Sequence, residues 1–271
     1  MGRASGPFLF RTHNANKTMN RERINRWQAA PIHLAISATI AATVFAIVYF
    51  LWYPGAMFDA AGGRDLFLLI ACVDVTVGPL ITLIVYRPGK RGLKFDLAVI
   101  AIVQFTALCY GTYVLFESRP AWIVYVKDRY ELVRANQIPD AERAKAKAPF
   151  DSLPLSGPRL VGAELPKDPA EQLRIMLSAA AGQDVQMYPQ YYVPYDRVKR
   201  EATAHAKPLS ALKALNPGRV GRIEALPAKL GLPASRLGFL PMRAGKHDLT
   251  VIIDRSNGDY LGNFDLRPWR Y

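Results

Sequence analysis

The sequence predicts a membrane protein, with three transmembrane α-helices followed by an extracytoplasmic α+β domain that ends in a C-terminal antiparallel sheet. Three observations carry this expectation. Apolar runs fill residues 32–53, 66–86 and 97–116, and about 20 apolar residues are needed to cross a bilayer core roughly 30 Å thick. None of these runs keeps one polar face, as a soluble helix would. Beyond residue 116 the pattern changes to short β-rich and helical stretches broken by turn residues. The predicted organisation is therefore an N-terminal arm (1–31), a three-helix membrane domain (32–116) and an outer domain (117–271).

The arm carries Arg3, Arg11, Lys17, Arg21, Arg23 and Arg26, and the loop between the second and third runs carries Arg87, Lys90, Arg91 and Lys94. The loop between the first two runs has only Arg64, offset by Asp59 and Asp65. Basic residues favour the cytoplasmic side, so the N-terminus and the second loop are expected there, with the outer domain in the periplasm of a bacterial cell. Trp27, Trp52, Tyr53, Tyr86 and Trp122 sit at the run boundaries, where interfacial aromatics are expected. The first run is too long for a signal-peptide core, and Leu51-Trp52-Tyr53-Pro54 is a poor cleavage site, so it reads as a signal anchor. The first 18 residues are polar and unpatterned, and Met19 is an alternative start.

Within the spans, Asp74 stands near mid-bilayer, where an ionisable group costs at least about 2.5 kcal/mol and must face protein or water. Counting residues from the cytoplasmic ends puts it level with Val44 and Cys109, which makes Thr43 and Tyr110 its expected hydrogen-bond partners. It either pins the helices together or meets a polar group on a partner's helix. Gln104 reads the same way, and Gly78-Pro79 permits a kink and a close helix approach. Asp96 is expected to pair near Lys94.

In the outer domain, residues 121–133 read as one strand, 140–147 as helical and 149–166 as a proline-broken loop. Asp168, Pro169 and Glu171 form an N-terminal signature for a helix to Ala181, stopped by Gly182, with Leu173, Met176, Leu177 and Ala180 at helical spacing. A shorter helix is expected over 220–230, and strands over 237–242, 249–253 and 260–266, the last two joined by a turn with Asn257-Gly258 at its tip. The expected result is an antiparallel sheet with helices on one face.

Composition narrows the function. The net charge of +13 divides between 11 basic and 5 acidic residues up to residue 116 and 24 and 17 beyond it, so no single basic patch points to nucleic acid. Both cysteines, Cys72 and Cys109, lie in spans, so the outer domain is expected to hold together by packing. The sequence has no phosphate-binding glycine loop, no nucleophile elbow and no metal-ligand spacing, and its four histidines (His13, His33, His205, His247) are scattered. His33 reads as an interfacial residue. A non-enzymatic protein without cofactor or metal is expected, with no catalytic residue assigned.

Several segments stand out together: Arg26-Trp27-Gln28-Ala29-Ala30 with His33-Leu34 and Ser37, Trp52-Tyr53-Pro54-Gly55, Val73-Asp74-Val75 with Gly78-Pro79-Leu80-Ile81-Thr82-Leu83, Pro88-Gly89-Lys90 and Leu93-Lys94-Phe95-Asp96-Leu97. Gln104, Tyr110-Gly111, Arg119-Pro120, Ile252-Ile253-Asp254 and Leu266-Arg267-Pro268-Trp269 complete the set, which is thin over 137–215. In combination they resemble the TfpX/TfpZ family of type IV pilin accessory proteins. The resemblance implies an inner-membrane, chaperone-like partner of the major type IV pilin, working with other pilus assembly components. Asp74, Gly78, Pro79, Gln104 and Tyr110 are then candidates for intramembrane contact, and Tyr188, Tyr191, Tyr192, Tyr195 and Trp269, with Tyr271, for contact with the pilin head. A membrane-anchored periplasmic sensor or signalling subunit is the alternative.

Overall fold

The computed structural model describes residues 25–270. Residues 1–24 of the arm, with Arg3, Arg11, Lys17, Arg21, Arg23, His13 and Met19, and the C-terminal Tyr271 lie outside the described residues. Among the described residues, three helices long and apolar enough to cross a membrane span Arg26–Trp52, Gly63–Val85 and Leu93–Glu117. Each begins ahead of its predicted apolar run, because polar residues supply part of the first turn. Asn25 accepts from the Gln28 N–H at 3.0 Å while Gln28 Oε1 accepts from the Asn25 N–H at 3.0 Å, which satisfies donors that a first turn leaves free. Gly92, at φ 85°, turns the chain into the third span. Asp96 pairs with Lys90 at 2.5 Å rather than with Lys94.

The outer domain is built on one eight-stranded sheet, comprising β1 (Pro120–Val126), β2 (Arg129–Arg134), β3 (Arg159–Ala163), β4 (Tyr192–Pro194), β5 (Lys207–Pro208), β6 (Leu237–Arg243), β7 (Leu249–Asp254) and β8 (Tyr260–Phe264). The strand order is β4-β3-β1-β2-β6-β7-β8, with β5 also paired to β6. The expected C-terminal antiparallel unit is present as β6-β7-β8. It is joined to the rest by parallel pairing of β2 with β6, and β1 pairs parallel with β3, so the sheet as a whole is mixed.

Three local expectations change. Residues 121–133 form a hairpin rather than one strand, because Lys127 takes φ 60° and folds β2 back on β1. The proline-broken loop contains β3, whose short apolar stretch is claimed by the open edge of β1. The 140–147 helix is only Asp140–Arg143.

Both faces of the sheet are covered, not one. Ile123, Tyr125, Leu240, Met242, Val251 and Ile253 point to one core, and Trp122, Val124 and Val126 to another with Ile175 and Tyr192. The helices Leu209–Leu215, Val220–Glu224 and Leu226–Leu230 close a third cluster over Phe239 and Ile252.

The first core also holds residues from the membrane domain. Val48, Tyr53, Met57, Phe58, Ala60 and Ala61 pack in it beside the sheet residues. Lys246 donates its backbone N–H to Ala60 O at 2.9 Å, and its ammonium pairs with Asp65. The loop between the first two spans is thus a structural part of the outer domain. Tyr53 and Trp122, expected as interfacial anchors, are instead buried, at 0% and 1% exposure. The third span ends at Glu117 and β1 begins at Pro120, with Ser118 and Arg119 between them, both buried.

Candidate functional site

The polar residues of the spans converge on one cleft. It has a volume of about 480 Å³, lies between the first and third spans, and is lined by His33, Ser37, Asp74 and Gln104 among apolar neighbours such as Ile40 and Ile102. Asp74 occupies a π-helical stretch, Val73–Val77, of the second span. Such stretches displace the backbone from the regular ladder and recur at functional positions.

Gln104 donates through Nε2 to the main-chain oxygen of Asp74 at 3.4 Å. This approach depends on Gly78, because a Cβ there would fall on the Gln104 amide. Gly78 and Pro79 are both buried against the neighbouring spans. His33 Nδ1 and Thr82 Oγ1 share a hydrogen bond of 2.6 Å that ties the first span to the second.

Two acceptors in this region have no hydrogen-bond partner among the described residues although both are buried, Asp74 Oδ1 and Gln104 Oε1. A buried polar atom without a partner is costly, more so where no water competes.

Thr43 and Tyr110 are not the hydrogen-bond partners of Asp74. Thr43 donates to Thr39 O at 2.9 Å, and Tyr110 is 70% exposed while lining a second cleft of about 220 Å³ beside Asp74. Counting levels along ideal helices fixes height but not rotation, and Asp74 itself sits in the π-helical stretch Val73–Val77, which departs from the regular helical rotation that the count assumes. His33 was missed as a cleft residue. The signal was there, since His33 and Ser37 stand four residues apart and so share one face of a helix that is otherwise apolar.

The aromatic candidates of the outer domain divide. Tyr188, Tyr192 and Tyr195 are buried, at 1%, 5% and 8% exposure, and present no ring for a partner to meet. Their hydroxyls donate inward, Tyr188 to Gln183 O at 3.3 Å, Tyr192 to Gln186 O and Tyr195 to Gly258 O at 2.9 Å. Burial raises the Tyr192 hydroxyl well above the ordinary tyrosine value and raises that of Tyr195 as well. Tyr191 is half-buried and donates to Glu171 at 2.7 Å. Trp269 is half-buried, its indole donating to Asp248 at 3.1 Å. The helix Pro169–Ala180 starts at its Asp168 cap as expected, yet it buries Ile175 and leaves Leu173, Met176 and Leu177 51–63% exposed.

The profile of a family described as fimbrial assembly protein FimB matches residues 21–55. The chain is 29% identical to a fimbrial assembly protein, serogroup I, of Dichelobacter nodosus over 244 residues, covering 88% of this chain and 95% of the relative. It is 28% identical to the serogroup E1 protein of that organism over the same shares. With the serogroups C1 and C2 protein it shares 34% identity over 124 residues, which are 44% of this chain and 94% of that relative. No solved structure matches the chain.

Proposed function

From the premise that this chain belongs to the fimbrial assembly protein family, we propose that it is a non-enzymatic inner-membrane accessory protein of the TfpX/TfpZ kind, which binds pilin subunits and promotes type IV pilus assembly. The carrying observation is the pair of buried, unpartnered acceptors, Asp74 Oδ1 and Gln104 Oε1, beside an open intramembrane cleft. A pilin before assembly has one long apolar helix and an outer head. Packing of such a helix in lipid depends on close approach and interhelical hydrogen bonds rather than on the hydrophobic effect. The cleft supplies both. The third span supports this reading, since Leu115 alone of its residues is fully buried, leaving most of its surface for another helix.

The basic arm and second loop are taken as cytoplasmic and the outer domain as periplasmic. Packing puts the first loop and the outer domain on one side of the membrane, because they share one core, and the basic residues are what assign that side.

The test is photocrosslinking in intact cells from Ile40 and Ile102, which line the cleft and are 41% and 65% exposed. Recovery of a pilin adduct is expected. Adducts with this chain alone, together with normal surface pili in a deletion strain, would overturn the proposal.

A further inference from the structure

We infer that the segment 153–158 of the outer domain is a lipid-inserted wedge, with Leu155 seated in the outer headgroup and acyl boundary of the bilayer. This goes beyond the pilin-binding reading and does not depend on it. The segment has no strand or helix of its own and would ordinarily be a solvated surface loop.

Its position is set by the ends of two spans. A Cβ on Gly157 would lie 3.1 Å from the Leu51 carbonyl at the outer end of the first span. Arg119, just after the third span, donates through Nε to Pro154 O at 3.1 Å and through Nη1 to Phe116 O at 2.6 Å. Its guanidinium also stacks 3.7 Å over the Phe116 ring, and the Trp52 and Phe116 rings meet at 5.2 Å. Leu155 is therefore held level with the last apolar residues of both spans.

At that level Leu155 is 69% exposed, two residues before the Gly157 that meets the Leu51 carbonyl, and Phe50 and Leu51 at that end of the first span are themselves 74% and 45% exposed. It shares a cleft of about 750 Å³ with Phe116, Arg119 and Leu153. An apolar side chain held out by a buried arginine, continuous with the lipid-facing surface of the spans, has the lipid as its occupant. Amphipathic surfaces at this depth bind by burying apolar side chains at the acyl boundary, and arginine with aromatic rings is the composition of that zone. The wedge would hold the outer domain down on the membrane at a second point, beside its covalent joint.

The test is a nitroxide at Leu155→Cys in the full chain, with Cys72 and Cys109 changed to Ser, reconstituted in phosphatidylethanolamine and phosphatidylglycerol vesicles. Collision with oxygen is compared with collision with a water-soluble nickel chelate. The reference is Asn257→Cys in the exposed β7–β8 turn, at the opposite end of β7 from Lys246, which contacts the loop between the first two spans. The expected result is an oxygen-to-chelate ratio at position 155 severalfold above that at 257 and close to that of a label at Phe50. A ratio equal to that at 257 would overturn the inference. Low collision with both reagents would overturn it too, since protein and not lipid would then cover Leu155.

Discussion

The Tyr53 hydroxyl donates to the Leu115 main-chain oxygen at 3.0 Å, and it lies 3.0 Å from Ser118 Oγ. This contact fastens the outer end of the first span to the outer end of the third, inside the core that the membrane domain shares with the sheet. Tyr53→Phe keeps the ring and removes the bonds. A loss of about 1 kcal/mol is expected, the ordinary worth of one buried hydrogen bond with some penalty for the acceptor left bare. Thermal unfolding in detergent measures it, and an unchanged midpoint would show that the weld is made by ring packing alone.

Asp74→Leu separates the two roles of the buried carboxyl. Because Asp74 Oδ1 has no partner among the described residues, removing it should leave stability unchanged or raise it by about 1 kcal/mol, while surface pili counted by electron microscopy fall sharply. A folded-state loss of several kcal/mol would assign Asp74 to holding the helices together.

Gly78→Ala sets a methyl against the Gln104 amide and forces the second and third spans apart. A cost of about 1–3 kcal/mol is expected from overpacking. Gln104→Ala on the same background should restore much of it. If the double variant is as unstable as the single, the close approach is not between these residues.

Asp254 gives an acid-limb prediction. The Arg236 guanidinium beside it, helped by Ser256, holds its carboxyl down at about 2. In the unfolded chain it titrates near 4. The stability it contributes is thus complete above about pH 4 and fades as pH falls toward 2, by about 2 kcal/mol at most. Arg236→Ala should flatten that part of a stability-against-pH curve, measured by denaturant unfolding between those limits. A curve that keeps its slope would place the acid sensitivity on other carboxylates.

Trp122 lies at the centre of the second core, edge-on to Tyr192 at 5.5 Å and to Phe150 at 6.1 Å. Trp122→Ala should cost about 3–5 kcal/mol through the cavity it leaves, and Tyr192→Ala a comparable amount. A stable, folded Tyr192→Ala that lost pilin crosslinking would return that ring to the contact surface.

The spans were legible because lipid imposes a length and a polarity that soluble structure does not. β6, β7 and β8 were legible because buried strands ended by an Asn-Gly turn leave a plain mark. The β1–β2 turn was not, since Lys127-Asp128 carries no glycine and only tertiary pairing puts Lys127 at positive φ. β3 was hidden by the prolines at 154, 158 and 166 around it. The tyrosines misled for a different reason. A ring with a hydroxyl suits an interface and also suits a core in which a main-chain oxygen accepts the proton, and sequence does not reveal the acceptor. Of the cleft, Asp74, Gly78 and Gln104 were legible as polar or small residues in an apolar field. His33 was obscured by its nearness to the membrane boundary, where a histidine passes as interfacial.

The joint of Ser118 and Arg119 between the third span and β1 leaves no slack, and the Lys246–Ala60 contact closes the other side. The molecule is therefore a caliper with fixed jaws. Whatever lies along its spans and whatever touches its sheet are held at one spacing and one bearing. A helix that slid along the cleft by a single turn, about 5.4 Å, would carry its head past one position on the outer domain and up to another.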